Sequence, residues 1–313
     1  MGEPLWMWGA FFAIVLVLLV LDLGLFHREE REISVRESLW QSAGYIFISL
    51  CFAACVHQFV GGRASRDFLT SYFVEKSLSM DNILVMSMVF SHFYIPRRYQ
   101  HRVLFWGILG VLLLRGIMIG LGAALVERFE FVLYFFGAFL VYTGAKMIFE
   151  KEDEEEKSLD ESKLLIWLRK HLPVTATLHG KKFFALEEDK AMGTLVRKAT
   201  PLFLTLVFVE IADIIFAVDS IPAVFAVTTD PFVVYTSNIF AILGLRALYF
   251  SLAAMLHRFE YLKYGLSLVL VFIGGKILIK HFYVVGSGTS LFVTLTLLVG
   301  GIVLSLYKTR ESK

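Results

Sequence analysis

Cysteine is almost missing from this chain, with two in 313 residues, Cys51 and Cys55. Two thiols four apart in an apolar run make neither a disulfide framework nor a complete thiolate metal site. They are expected to be packing residues. Charge is also thin, at 19% of residues, against about a quarter in soluble domains. Neither sign dominates: 30 Lys+Arg face 28 Asp+Glu, for a net charge of +2. That balance lacks the basic stripe of a dedicated nucleic-acid binder. The apolar runs hold no spaced His/Cys cluster, so zinc or copper would lack its preferred ligands.

What the chain has instead is hydrophobic length: 57% of its residues are hydrophobic, including 30 Phe. A membrane span needs about 20 mostly apolar residues. Nine runs qualify: 5–26, 40–60, 68–93, 103–125, 131–149, 200–227, 235–256, 261–279 and 289–307. Internal Pro and Gly do not disqualify them, because membrane helices tolerate both. With the N-terminus outside and the C-terminus inside, cytoplasmic segments hold 21 Lys/Arg and outer segments 4. This is the positive-inside distribution. The expected architecture is an all-α polytopic membrane protein of about nine transmembrane helices. Residues 1–67 form an N-terminal two-helix segment, 68–149 and 200–282 two three-helix units, and 283–313 a C-terminal helix and tail. The cytoplasmic loop 150–199 begins with the acidic run Glu150–Glu156 and continues into a basic amphipathic stretch, Lys163–Lys170. Phe183-Phe-Ala-Leu and Thr194-Leu-Val are read as a short hairpin.

The two units repeat. Leu114-Arg115-Gly matches Leu245-Arg246-Ala, Arg128-Phe-Glu130 matches Arg258-Phe-Glu260, and Gly144-Ala-Lys146 matches Gly274-Gly-Lys276. Upstream, Glu75, Asp81 and Asn82 match Asp213, Asp219 and Ser220 at one common offset. An odd number of spans per unit makes the second copy enter from the opposite side. Such an inverted repeat is the architecture of many secondary transporters.

The acids inside these runs carry the chemistry. Each ionised carboxylate at the bilayer centre costs at least about 2.5–3.5 kcal/mol. Glu75, Asp81, Glu210, Asp213 and Asp219 together would cost on the order of 13 kcal/mol unpaired. Cations, basic partners, protons or a water-filled cavity must offset that cost. Glu75 and Asn82 share a helix face, as do Glu210, Asp213 and Ser220. Asp81 and Asp219 lie about 240° round from Glu75 and Asp213 at 100° per residue. A helix broken at Pro222 would turn Asp219 inward and free carbonyls as ligands. With Asn238, the donor set is all oxygen, which suits Mn, Mg and Ca. Arg115 and Arg246 are either gating groups or counter-charges for two of the acids. Asp22 is either an interfacial anchor or a cytoplasmic gate. His57, His92 and His257 are expected near helix ends, and Met80, Met86 and Met88 are expected as packing residues.

The segments Glu75-Lys-Ser-Leu-Ser-Met-Asp-Asn82, Val209–Pro231 and Thr236–Phe250 resemble the TerC family, and most of all its Alx-type branch. The similarity runs from the first helix to beyond Phe282. It implies a multi-pass protein of the bacterial inner membrane, related to the LysE transporter superfamily, and manganese export with a historical link to tellurite resistance. Some family members are thought to supply metal to exported enzymes. By motif, the resemblance points to Glu75, Asp81, Asn82, Glu210, Asp213, Asp219 and Ser220. Tellurite is an anion that a carboxylate-lined site would repel, so a metal cation is the better cargo.

The expected function is therefore Mn2+ efflux by alternating access, with the metal bound between the two inverted units and protons as the exchanged ion. The alternative is a translocon partner that loads Mn2+ onto exported enzymes. An intramembrane aspartyl protease is disfavoured by the lack of a Gly-x-Gly-Asp motif. The expected partners are the lipid bilayer, Mn2+ or another hard divalent cation, and protons. No enzyme activity and no prosthetic group are expected.

Overall fold

The structure, a computed structural model, describes residues 5–24, 34–129, 131–149, 173–175, 177–188, 195–252 and 262–311. In chain order these form α1 (Leu5–Gly24), α2 (Val35–Phe59), α3 (Gly62–His92), α4 (Arg97–Arg128) and α5 (Phe131–Phe149). A two-stranded antiparallel sheet follows, β1 (Phe184–Glu188) with β2 (Leu195–Ala199). Then come α6 (Pro201–Val227), α7 (Pro231–Leu243), α8 (Leu245–Leu252), α9 (Leu262–Leu278) and α10 (Ser287–Glu311). The sheet is the hairpin expected from Phe183–Val196. The basic stretch 163–170 lies outside the described residues.

Local chemistry sets several helix starts. Ser34 caps α2, its hydroxyl accepting from the Glu37 amide at 3.2 Å, which satisfies one of the free first-turn amides. Asp230 caps α7, accepting from the amides of Phe232 at 2.9 Å and Val233 at 3.3 Å. Pro201 and Pro231 occupy the first helical positions, where the missing N–H costs nothing.

Among the described residues, five helices are long and apolar enough to cross a membrane: α2, α4, α5, α6 and the Ser287–Ser305 part of α10. The run 235–256 is divided between α7 and α8 at Gly244. Although α3 has 31 residues, it is not among the five. It carries Arg63, Arg66, Asp67, Glu75, Lys76 and Asp81 along its length, which lowers its hydropathy. Large apolar side chains cover the outside: Leu16, Leu113, Ile117, Leu121, Phe135, Phe292 and Val303 are all exposed. An exterior of this kind matches hydrocarbon rather than water. Cys51 and Cys55 join it. Both are free and exposed on α2, so the expectation that they are packing residues is corrected. Met86 is buried while Met88 is exposed.

Three apolar cores hold the bundle. One is aromatic, built from Phe11, Phe52, Phe68, Tyr72, Phe232 and Phe240 of α1, α2, α3 and α7. The second joins α4, α5, α6 and α9. The third packs the C-terminal half of α3 against the starts of α4 and α6, α8 and the segment leading into the hairpin. The pair α5 and α9 meets backbone to backbone. A Cβ on Gly274 would lie 2.5 Å from the carbonyl oxygen of Gly137, and one on Gly144 would lie 2.7 Å from that of Ser267. Small residues at such crossings let membrane helices approach closely.

Candidate functional site

The site is built where α3, α4, α6 and α7 meet, and its hub is Arg115. This is the largest fully buried side chain among the described residues, at 1% exposure. Its guanidinium grips Asp213 by a fork: Nε donates to Oδ2 at 3.1 Å and Nη2 to Oδ1 at 3.0 Å. Nη1 donates to Glu75 Oε1 in a close ion pair, to Ser220 Oγ at 2.9 Å and to Asn238 Oδ1 at 3.2 Å. Asn82 Nδ2 donates to Asp213 Oδ1 at 3.3 Å. Planar, bidentate pairing of this kind is what guanidinium offers and ammonium does not.

Helical spacing puts these groups in reach. Seven residues separate Glu75 from Asn82 on α3, and Asp213 from Ser220 on α6. In both pairs, two turns bring the side chains back to one face. All four are buried, with Asn238 from α7. The contacts cross antiparallel: Asn82 meets Asp213, while Glu75 and Ser220 meet the same nitrogen of Arg115.

Glu210 sits one turn before Asp213 and stays out of the Arg115 network. Its carboxylate lies in a notch on α4, where any Cβ on Gly110 would overlap it. Sequence reasoning missed this notch. Its only signal was Gly107 and Gly110, three apart on the face that meets α6. Gly110→Val is expected to cost about 1–3 kcal/mol by overpacking. Adding Glu210→Ala, which empties the notch, should recover most of that stability in thermal unfolding of purified protein.

Asp219 is not brought into the buried cluster. Helix α6 continues unbroken through Pro222, so Asp219 keeps its turned-away position and is half-exposed. The broken-helix expectation is corrected accordingly. Asp22, Asp81 and Arg246 lie on α1, α3 and α8, and their side chains are outside the described set. His57 and His92 stand in the last turns of α2 and α3, as expected; His257 lies outside the described residues.

Two properties define what this arrangement can do. First, two carboxylates, Glu75 and Asp213, pair with a single guanidinium, and a third, Glu210, lies one turn from Asp213 outside that network. If all are ionised, two negative charges remain unbalanced. Second, Glu75 Oε2, Glu210 Oε2 and Asn82 Oδ1 are buried oxygen acceptors with no donor among the described residues. Buried acceptors of this kind call for a partner. Among the described residues, no three His, Cys, Asp or Glu side chains already converge as a ligand shell, because Arg115 stands between the acids.

The comparisons agree with a membrane setting. The family described as "Integral membrane protein TerC family" matches residues 60–313. An uncharacterized membrane protein of Myxococcus xanthus is 46% identical over 311 residues, covering 99% of this chain and 95% of the relative. One from Rickettsia bellii is 43% identical over 301 residues, with 96% and 97% covered. A relative from Escherichia coli K12, described as a proposed membrane-bound redox modulator, Alx, is 46% identical over 307 residues, with 95% and 93% covered. No solved structure matches the chain.

Proposed function

This chain belongs to the TerC family of integral membrane proteins, and from that premise we propose that it moves a divalent metal cation, Mn2+ foremost, out of the cell by alternating access. One observation carries the reading. Two buried carboxylates share one guanidinium, a third, Glu210, stands one turn away, and among the described residues buried oxygen acceptors are left without donors. A single hard divalent cation balances two negative charges and suits oxygen ligands. Two protons balance them equally, which makes proton exchange the natural coupling.

In this reading Glu75, Asn82, Glu210, Asp213 and Ser220 contribute ligand oxygens, and Asp81 and Asp219 line the path. Arg115 neutralises the acids when cargo is absent. Asn238 holds Arg115, and Asp22 and Arg246 act at the gates. Nine spans with the N-terminus outside would place the hairpin and most of the loop Lys/Arg in the cytoplasm of an inner-membrane protein. The inverted units rest on the sequence repeat, which equates Gly144 with Gly274; α5 and α9 cross antiparallel, with Gly137 against Gly274 and Gly144 against Ser267.

Glu210→Gln, Glu75→Gln and Asp213→Asn are each expected to lower Mn2+ flux into proteoliposomes by at least about tenfold, the scale seen when even an outer-shell partner of a metal is lost. Wild-type flux in all three variants would sink the proposal. A factor that loads Mn2+ onto exported enzymes would use the same ligands but would show no net flux without a client. Redox modulation, the role named for the Escherichia coli relative, would draw on Cys51 and Cys55, one turn apart on α2. Unchanged flux in the double Cys→Ser protein separates that reading from transport.

A further inference from the structure

Lys76 follows Glu75 directly, yet one residue along a helix turns the side chain about 100° away, out of the carboxylate site. It is buried. Among the described residues its ammonium forms no ion pair, and Nζ donates to the carbonyl of Ala241 at 3.1 Å. Ala241 is one of the last four residues of α7, whose carbonyls have no partner within the helix. They also form its negative end. The helix is interrupted there at Gly244. A Cβ on that glycine would lie 2.7 Å from Lys76 Nζ and 3.2 Å from Tyr45 Cβ. The missing side chain thus leaves room for an ammonium and little else.

A lone ammonium is costly to bury, so a carbonyl end shaped around one is a cation site. In secondary transporters, the C-terminal ends of broken helices and unwound carbonyls hold small coupling cations. We propose that the carbonyl end of α7 at Gly244 is a monovalent-cation site that the chain fills with its own Lys76. The second unit carries Ile214 at the matching position, so the tethered cation belongs to one half only. The occupant braces α7, which one turn earlier presents Asn238 to Arg115 at 3.2 Å.

The test does not depend on the cargo. Lys76→Ala vacates the site, and a small free cation should refill it. Purified in detergent, this variant is expected to gain thermal stability from sodium or methylammonium chloride but not from choline chloride, whose cation is too large. The wild type should respond alike to all three salts. Equal responses of the variant to all three would overturn the proposal. Lys76→Gln guards against an unfolded Ala variant, since it fills the same volume with a neutral donor. If it is as stable as the wild type in choline, no cation is required and the proposal fails. Reduced stability of Lys76→Gln in choline supports it.

Discussion

Arg115→Met is expected to lose about 3–5 kcal/mol of stability, the cost of leaving buried charge without its partner. Glu75 and Asp213 are both nearly inaccessible, at 1% and 3% side-chain exposure, so water cannot take over from the guanidinium. Ser220 and Asn238 would also lose their donor. The measurement is thermal or denaturant unfolding in detergent, with expressed yield as a second readout. The triple variant Arg115→Met, Glu75→Gln, Asp213→Asn removes the charges together. Replacing a whole buried ion cluster by neutral groups of similar volume is often close to neutral, so most of the lost stability should return. Mn2+ flux should stay abolished in it, because the ligands are gone. Those two outcomes separate a structural role for the ion pairs from a role in cargo handling. Arg115→Met as stable as the wild type would overturn the assignment of Arg115 as hub.

Gly274→Leu should give the second large effect. Its Cβ would lie 2.5 Å from the Gly137 carbonyl oxygen and 2.9 Å from Val141 Cγ2. The first obstacle is backbone, which cannot rotate aside, so α5 and α9 must separate. We expect a cost of about 3 kcal/mol, the upper end of the overpacking range. Gly144→Leu meets the Ser267 carbonyl in the same way and should cost a similar amount. Gly275 and Gly120 have nothing within 4 Å of a built Cβ. Leu at either should stay within about 0.5 kcal/mol of wild type. Unfolding of the four variants under one condition checks this, and equal stability for Gly274→Leu and Gly275→Leu would refute the α5–α9 register. Similar losses at Gly144 and Gly274 would also support the proposed inverted units, which make the two positions equivalent.

Much of the helical layout was legible because it is local. A run of apolar residues must find an apolar surrounding, so the runs 103–125, 131–149 and 200–227 overlie α4, α5 and α6. Alternation around Phe183 and Leu195 placed the hairpin. The shared faces of Glu75 with Asn82 and of Asp213 with Ser220 followed from helical period alone, and all four are buried together. Asp219 shows the opposite limit. Its angle away from Asp213 was readable, but whether Pro222 would break the helix depended on packing, and α6 continues as a helix past it.

By itself, then, the sequence determined which segments are helical and apolar, and which charges lie inside them. It also determined which of those charges share a helix face, because all three follow from residue type and the 3.6-residue period. Tertiary structure decided the partnerships. Arg115 is 40 residues from Glu75 and 98 from Asp213, and only the rotation and register of packed helices bring them together. Packing likewise aimed Glu210 at the Gly110 notch, set Lys76 against the end of α7 and left Cys51 and Cys55 exposed. Neighbours in space across a bundle are chosen by how helix surfaces interlock, and no single helix carries that information in its own sequence.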